Sequence, residues 1–419
     1  MNIAVIGAGI VGICTAYELA MDGHRVTVYE KSASIAEGAS FANGGLLAPS
    51  LGAVISHPQW PSGALTSWRR LLQTARVGGG TRLEDLRWLI TWSRRRSEQD
   101  FLAALAANHA LLEASMVQLH DIVRRTGLSF DRSEGQLALF ATARESERFA
   151  PKLKALKQLG VAFKNLSAQE ARKLEPGLGA ALPVHSAVQF PQDAVGNCRH
   201  FAQLLKEAAQ AQGVVFCLGT NVQTIAPAAQ PGIILETGAT PLAFDRIVVC
   251  CGSDPSRFMR MAAPHCRRAV VHSQSLSLHL REPLNGPRSA VVDTASQVAI
   301  VRLGNRIRVS GGASLGRPMT TSDEQSFRPL YRALNTHFPG AANLREGVQA
   351  WTGSSLFIGD GLPLIGQTPL PGVLLNTGHG HNGWGMACGS ARLLADLIGN
   401  KPTRLDPAAF NPLRFTRTA

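Results

Sequence analysis

The chain has 419 residues, more than a single hydrophobic core usually serves, so two domains or an interleaved pair are expected. Its 45% hydrophobic content is that of a globular protein with substantial cores. The seven cysteines show neither a CxxC pair nor a metal-ligand spacing, which argues against a metal site and favours packed thiols in a reducing compartment. No segment suits a membrane span, and residues 3–20 lack the basic start of a signal peptide, so we expect a cytoplasmic protein.

The net charge of +13 is concentrated in one segment. Residues 69–96 hold eight arginines against two acidic residues, and tryptophans are interleaved with them at Trp68, Trp88 and Trp92. A peripheral contact of residues 68–96 with anionic lipid, on the cytoplasmic face of the inner membrane, is one interpretation. The alternative is an ordinary helix with a solvated basic face and core tryptophans. Nucleic acid is a less favoured partner, because no RNA-binding motif is visible.

The first thirty residues have the pattern of a dinucleotide-binding unit. An apolar strand leads into Gly7, Gly9 and Gly12, whose G-x-G-x-x-G spacing permits a tight turn, close approach of a pyrophosphate and packing of the next helix. A second strand ends at Glu30, whose carboxylate can accept hydrogen bonds from ribose hydroxyls. The motif alone does not separate NAD from FAD. The predicted cofactor contacts in this unit are Ile6, Gly7, Gly9, Ile10, Val11, Gly12, Glu30 and Lys31.

A small, polar, glycine-rich loop, "EGASFANGGLLAPS" (residues 37–50), follows the second strand. A nicotinamide dehydrogenase more often continues with alternating strands and helices at this point. A loop with Ser40, Asn43, Gly44 and Gly45 can instead wrap a cofactor with backbone donors, which favours FAD. The alternative is an ordinary surface loop.

The middle of the chain predicts a second unit inserted between strands of the nucleotide-binding sheet. Residues 100–126 predict a long helix, and residues 247–251 predict a buried strand that returns to the first sheet and ends at Gly252. Residues 268–311 have the pattern of alternating strands. We expect these strands to form an antiparallel sheet on the substrate side.

Near the C-terminus, "NTGHGHNGWGMACGSARLLADLIG" (residues 376–399) brings four glycines to the start of an apolar helix. A strand predicted at 373–376 runs into this backbone, and the helix is predicted to begin near Gly383. A helix N-terminus at the end of a parallel strand is an anion site. Reduced flavin carries negative charge at N1 and C2=O, whereas NAD presents no such group, so this stretch also favours FAD. The alternative is a tight turn and a closing surface helix.

Six blocks of the sequence resemble those of a known family, in its order: "VIGAGIVGICTAYELAMDGHRVTVYEK", "FANGGLLAPS", "DRIVVCCGSDPS", "GNRIRVSGG", "WTG" and "NTGHGHNGWGMACGSARLLADLI". The family is the FAD-dependent amino-acid oxidoreductases (the D-amino acid oxidase/glycine oxidase superfamily), and the chain is most similar to bacterial D-amino acid dehydrogenases. The resemblance implies an α/β fold with a Rossmann-type FAD-binding domain, residues 1–55, 145–260 and 345–419. This domain is interleaved with an α+β substrate domain, residues 56–144 and 261–344, that carries a mixed, largely antiparallel sheet.

The resemblance also implies roles for individual residues. The glycines of the first turn hold the pyrophosphate, Glu30 binds the ribose, and Ser40, Ala42, Asn43 and Gly44 line the flavin. The C-terminal block covers the pyrimidine end of the flavin. The remaining expected FAD contacts are Gly252, Gly378, His379, Gly380, Asn382, Gly383 and Trp384.

The chain departs from the family in "WTGSSLFIGDGLPLIG". The family has W-T-G-L-R-P at this point, and its arginine often pairs with the substrate carboxylate, whereas this chain has Ser355 at that position. A serine cannot make a bidentate charged contact. Either another cation binds the carboxylate, with His381, Arg302 and Arg308 as candidates, or the substrate is not a simple amino acid. A structural role for His381 and solvent-facing arginines are the alternatives.

The reaction implied by the resemblance is oxidative deamination of an amino acid. Hydride passes from the α-carbon to flavin N5, and the imine is hydrolysed to a keto acid and ammonia. The electron acceptor stays open, although the family's dehydrogenases reduce a membrane quinone. The alternatives are an oxidase or dehydrogenase of secondary amines (glycine, sarcosine or hydroxyproline type), a tRNA wobble-uridine modification enzyme, and a non-catalytic subunit that binds FAD.

Overall fold

The structure is a computed structural model of the chain. It describes residues 1–55, 75–77, 83–93, 97–228, 230–238, 240–252, 256–316, 320–321 and 323–415. Much of the arginine-rich segment, including Trp68, therefore lies outside the described residues. Within the described ranges, none of the helices has the length and apolar character needed to cross a membrane.

The strands and helices alternate irregularly along the chain. The strands are β1 (Asn2–Ile6), β2 (Arg25–Tyr29), β3 (Leu46–Leu47), β4 (Ala75–Val77), β5 (Arg132–Phe140), β6 (Lys164–Ser167), β7 (Ser186–Gly196), β8 (Val215–Cys217), β9 (Val222–Ala226), β10 (Gly232–Leu235), β11 (Leu242–Ala243), β12 (Arg246–Val249), β13 (Arg268–His279), β14 (Ala290–Asp293), β15 (Val298–Leu303), β16 (Arg306–Leu315), β17 (Gln349–Ile358), β18 (Leu364–Gln367) and β19 (Val373–Thr377). The α-helices are α1 (Ile10–Met21), α2 (Leu51–Ile55), α3 (Leu83–Ser93), α4 (Glu98–Thr126), α5 (Ala143–Gln158), α6 (Ala168–Leu174), α7 (Cys198–Ala211), α8 (Ser256–Ala262), α9 (Glu324–His337) and α10 (Gly383–Ile398).

The first sheet has the order β18-β19-β12-β1-β2-β8. All its neighbouring strands are parallel except β18, which runs antiparallel to β19. β1 and β12 lie in the middle of the sheet, and their apolar runs are buried because helices and a small sheet cover both faces. The predicted return of a buried strand to the nucleotide-binding sheet is confirmed by the pairing of β12 with β1.

The second sheet has the order β17-β13-β16-β15-β14-β5-β7-β3, with β4 beside β16 and β6 beside β7. Its pairs are antiparallel except β5 with β14 and β4 with β16, so the predicted mixed, largely antiparallel sheet is confirmed. β7 and β17 belong to this sheet although they fall within the ranges predicted for the FAD-binding domain. The chain therefore passes between the two sheets more often than those ranges indicate, and the domain boundaries stay a prediction.

The helices complete two layers around the first sheet. On one face, α1 packs against α10 and α7, and α10 packs against α4. On the other face, α8 and the small antiparallel sheet of β9, β10 and β11 share a core with β1 and β12. This is the predicted α/β class, in which helices cover both faces of a mostly parallel sheet.

Helix α3 belongs to the arginine-rich segment and packs into the protein through its two tryptophans. Trp88 and Trp92 are buried, with ring centroids 5.1 Å apart. Both rings meet the edge or face of Phe357 on β17, at 6.1 and 5.9 Å. These two tryptophans are core residues, as the structural alternative predicts, and do not face a membrane.

Candidate functional site

The turn between β1 and α1 is built so tightly that only glycine fits at two of its positions. Gly7 has φ +107°, and a Cβ there would lie 2.7 Å from the Cys250 carbonyl oxygen. A Cβ at Gly12 would lie 1.9 Å from the Gly7 carbonyl oxygen. The predicted strand–turn–helix is confirmed, and its backbone is bare enough for a phosphate to approach the start of α1.

Glu30 follows β2 and faces this turn. Its Oε2 accepts the Ala8 N–H at 2.8 Å, and its Oε1 accepts the Ser32 N–H at 2.9 Å. The carboxylate is therefore held beside the glycine turn, where a ribose next to the pyrophosphate would lie.

A half-open cavity of about 490 Å³ lies next to Glu30, lined by Lys31, Ser32, Gly219, Thr220, Asn221, Glu236 and Thr237. It lies beyond the end of β2, and its use by the adenosine part of the cofactor stays a prediction. Apart from Lys31, these residues were missed from sequence. The sequence signal for them is "GTN" (residues 219–221), which is separated by one residue from the end of β8, the strand that pairs with β2.

The loop after β2 bridges the glycine turn and the second sheet. On one side, Ser40 Oγ accepts the Ile10 N–H at 3.0 Å. On the other side, Ser275 Oγ donates to the Ala42 carbonyl at 2.7 Å, and Arg308 Nη1 donates to the Asn43 carbonyl at 3.1 Å. Gly44 lies so close to β16 that a Cβ there would be 2.9 Å from Ser310 Oγ. The predicted flavin-lining residues are thus held between the two sheets.

The N-cap residues of α1 and α10, Gly9 and Asn382, form no side-chain capping hydrogen bond, and neither helix has an acidic residue in its first turn. Five other helices have a side-chain cap, namely Ser97 on α4, Thr142 on α5, Ser167 on α6, Asn197 on α7 and Asp323 on α9. Ser40 takes the first N–H of α1, and the amide of Asn382 at the start of α10 donates to the Gly52 carbonyl at 3.0 Å. The uncapped ends suit two anionic groups, such as a pyrophosphate and a flavin pyrimidine.

His379 and His381 lie in the turn before α10. The glycines Gly378 and Gly380, on either side of His379, both have positive φ. Desolvation by the surrounding protein lowers the pKa of His379 to about 3 and that of His381 to about 4. The His381 residue is nevertheless exposed to water, so the effect of desolvation on it is the weaker of the two. The lowered pKa favours the neutral form of both imidazoles, so it does not favour His381 as the cation that Ser355 lacks. A role for His381 at the substrate stays a prediction.

The side chain of Trp384 has a structural role. Its indole N–H donates to the Gly196 carbonyl at 3.1 Å, and its ring packs against Phe201 with centroids 5.1 Å apart. The side chain therefore anchors α10 in the core, and only its backbone N–H can face a cofactor. Gly252 lies three residues after the end of β12 and has φ +53°. Its contact with FAD stays a prediction.

β17 carries Ser355 on a regular strand paired with β13. Because side chains alternate along a strand, Trp351, Gly353, Ser355 and Phe357 share one face. The Trp351 indole lies over Gly353, since a Cβ at that glycine would be 2.0 Å from Trp351 Cη2. At one end the Phe41 ring stacks on Trp351, and at the other Phe357 meets the His381 ring at 4.6 Å. This face forms the floor of the candidate substrate site, and sequence reasoning missed its aromatic residues.

The two candidate arginines lie on opposite faces of the second sheet. Arg308 on β16 is paired with Val301, and Arg302 on β15 is paired with Ile307, which faces the other side. Arg302 donates to the carbonyls of Gly304 and Pro283, at 3.3 and 3.5 Å. The structure therefore brings Arg308 to the flavin-lining loop and places Arg302 on the opposite face of the sheet, which does not favour Arg302 as a substrate contact.

The sequence matches a known protein family over most of its length. The family model described as "FAD dependent oxidoreductase" (DAO) matches residues 2–397. The chain belongs to this family of FAD-dependent oxidoreductases. It is 32% identical to D-amino acid dehydrogenase 1 of Mesorhizobium japonicum, with 100% of each chain covered. It is 34% identical to the D-amino acid dehydrogenase of Phenylobacterium zucineum, covering 97% of this chain and 96% of the relative.

The fold matches that of solved flavoenzymes. The structure of glycine oxidase from Geobacillus kaustophilus superposes with a TM-score of 0.75 at 20% identity, covering 100% of this chain and 98% of that chain. FAD is the cofactor of the family. The bare glycine turn, the carboxylate of Glu30 and the two uncapped helix ends are the features of this chain that fit it.

Proposed function

We propose that the protein is a D-amino acid dehydrogenase that oxidises the C–N bond of its substrate with FAD. The full-length similarity to relatives of that name carries the proposal. Bound FAD would supply the acceptor for the hydride that leaves the substrate α-carbon. The imine product is then hydrolysed to a keto acid and ammonia.

The residues of the chain contribute orientation and charge in this proposal. The start of α1 binds the pyrophosphate, Glu30 binds the ribose, and residues 40–44 support the flavin beside the floor of β17. The start of α10 would hold the end of the flavin that gains negative charge, and its N–H groups would favour reduction. A neutral amine needs no strong protein base, and the neutral His381 can accept or donate a hydrogen bond that orients the substrate.

A second candidate, oxidation of secondary amines of the glycine, sarcosine or hydroxyproline type, is favoured by one observation. Ser355 occupies the position of the family arginine, on the floor of the candidate site and close to Phe357. A substrate whose carboxylate is bound elsewhere, or which carries an N-substituent, fits a site that lacks this planar cation.

Anaerobic absorbance titration of the purified holoprotein separates the two candidates. The panel is D-amino acids, their L-enantiomers, and N-substituted amines such as sarcosine and proline. Bleaching of the flavin by the D-series alone supports the proposed activity, and bleaching only by N-substituted amines supports the second candidate. A flavin that stays oxidised with every amine contradicts both.

The proposed electron acceptor is a membrane quinone, reached by a peripheral contact through α3. Leu83, Leu86 and Ile90 on this helix are exposed, at 63%, 42% and 46%, and arginines surround the helix in the sequence. We expect the protein to sediment with anionic vesicles at low salt and with neutral vesicles far less. The paired substitution L83E and L86E should weaken this binding while flavin reduction by substrate stays unchanged. Absence of sedimentation at low salt argues against the contact.

A further inference from the structure

Arg308 is a buried cation without a buried anion. It is 8% exposed in the middle of β16, and its Nε donates to Ser277 Oγ at 3.0 Å. Its other hydrogen bond goes to the carbonyl of Asn43, which is also neutral. Within the described part of the chain it forms no ion pair with a carboxylate. Burial lowers its pKa to about 10, so it is charged at neutral pH. A buried charge without an opposite charge is destabilising unless a bound group supplies one.

The titratable group that acts most strongly on Arg308, the Cys198 thiol, does not supply the missing negative charge. The thiol of Cys198 acts on Arg308 electrostatically, but its own burial raises the pKa of Cys198 to about 12. The thiol is therefore neutral under ordinary conditions. The guanidinium thus keeps a full positive charge in a desolvated position.

Arg308 lies at the back of the flavin-lining loop. Ala42, Asn43 and Gly44 contact the face of the second sheet that carries Ser275, Arg308 and Ser310. The opposite side of the loop meets the start of α1 through Ser40. The loop of residues 40–44 therefore lies between the Arg308 guanidinium and the start of α1.

The position of Arg308 in the sheet also excludes it as a functional replacement for the family arginine that this chain lacks at Ser355. Arg308 is in register with Ser277, and Ser277 is in register with Gln349 on β17. Ser355 is six residues further along β17, which corresponds to roughly 20 Å at about 3.3 Å per residue. Arg308 therefore does not bind a carboxylate at the Ser355 position, and its role has to be sought at the loop.

We propose that Arg308 is a positioning residue that holds the flavin-lining loop and whose charge favours the reduced form of FAD. The proposal rests on the proposed placement of the flavin beside residues 40–44. Reduction adds two electrons and one proton to the ring, which leaves one negative charge at neutral pH. A fixed cation in a desolvated site stabilises that charge more than water does, because the effective dielectric constant is lower.

The test uses two readouts that need no amine substrate. The first is the dissociation constant of FAD, measured by fluorescence on the apoprotein. The second is the midpoint potential of the bound flavin, measured against a reference dye during chemical reduction. Arg308→Met is expected to weaken FAD binding at least tenfold. It should also lower the preference for the reduced form about tenfold, which for a two-electron couple is about 30 mV.

Two further variants separate charge from packing. Arg308→Lys keeps the charge but loses the planar contact to Ser277 and Asn43, so its potential should stay close to wild type while FAD binding weakens. Arg302→Met removes a cation from the opposite face of the same sheet and should change neither readout. If Arg308→Met does not accumulate as a folded protein, Arg308→Gln carries the same expectation.

Two results overturn the proposal. One is an unchanged potential in Arg308→Met or Arg308→Gln. The other is a potential in Arg308→Lys that falls as far as in the uncharged variants, since the effect would then come from packing rather than charge. Because the reductant is chemical, failure of every amine to reduce the flavin would contradict the proposed function and leave this test intact.

Discussion

Arg392 on α10 donates a 2.8 Å hydrogen bond to the fully buried carboxylate of Glu18 on α1. Gln118 on α4 donates to the other oxygen of Glu18 at 2.7 Å, and Arg392 also binds Asp22 and Asp396. This network joins the two helices whose uncapped N-termini form the candidate anion sites. The network therefore ties α1 to α10 in the C-terminal half of α1, about two turns beyond the end of the helix that faces the candidate anion site.

Removal of Arg392 should destabilise the protein strongly. Arg392→Ala leaves Glu18 buried without a cation, and such changes cost about 3–5 kcal/mol. Lys401→Ala is the matched control: this lysine binds Asp22 at 2.7 Å but is half exposed, so its loss should cost at most about 1 kcal/mol. Urea unfolding followed by tryptophan fluorescence measures both. Equal effects of the two variants would contradict a dominant role for the buried pair.

Gly12→Ala should prevent formation of the cofactor turn. The added Cβ would lie 1.9 Å from the Gly7 carbonyl oxygen, a backbone atom that cannot move aside cheaply. The cost should exceed the ~1–3 kcal/mol that is typical of overpacking, and the protein should purify without FAD. Gly238→Ala is the control, because a Cβ at Gly238 meets nothing within 4 Å. The measurement is the flavin-to-protein absorbance ratio, and normal flavin content in Gly12→Ala would refute the tight turn.

Ser355→Arg should create a carboxylate-binding cation on the floor of the candidate substrate site. A charge-assisted contact is worth about 1.5–3 kcal/mol, so KM for a carboxylate-bearing substrate should fall about 10- to 100-fold. Ser355→Lys should give a smaller gain because it lacks the planar fork, and Ser355→Met should give none. Steady-state kinetics with a substrate that reduces the flavin makes the comparison. An unchanged KM in Ser355→Arg would mean that the carboxylate lies elsewhere.

Protonation of the buried Asp193 carboxylate should stabilise the folded protein at low pH, and this contribution should fall as pH rises. Its carboxylate is fully buried and accepts the N–H groups of Ser50 and Leu51, at 2.9 and 3.0 Å. Burial raises its pKa from 3.8 to about 6. A raised folded-state pKa means that the folded protein holds the proton more tightly, so the contribution is full below pH 4 and is lost as pH rises toward 6.

The variant Asp193→Asn removes this titration. The difference in unfolding free energy between wild type and variant should change by about 2–3 kcal/mol between pH 4 and pH 7, with wild type losing ground as pH rises. Urea unfolding at a series of pH values gives the difference. A difference that is constant with pH, or one that grows in favour of wild type, would contradict the assignment.

The sequence by itself determined the parts of the protein that depend on local backbone geometry. The glycine spacing predicts the turn after β1 because no other residue permits its φ or its close contacts, and the position of Glu30 follows from the length of the helix and strand between them. The pattern at 376–399 likewise predicts a helix that begins near Gly383, and the structure has the helix start at that residue. The residues that carry the family resemblance are these same local features.

Only the tertiary structure decided which side chains share the substrate side. Arg302 and Arg308 look equivalent in the sequence, but the register between β15 and β16 places them on opposite faces. The charge of His381 depends on desolvation by protein that is distant in the chain, and the direction of Trp384 depends on its hydrogen bond to Gly196 on β7. Strand register and burial arise from contacts between segments far apart in sequence, so no local pattern contains them.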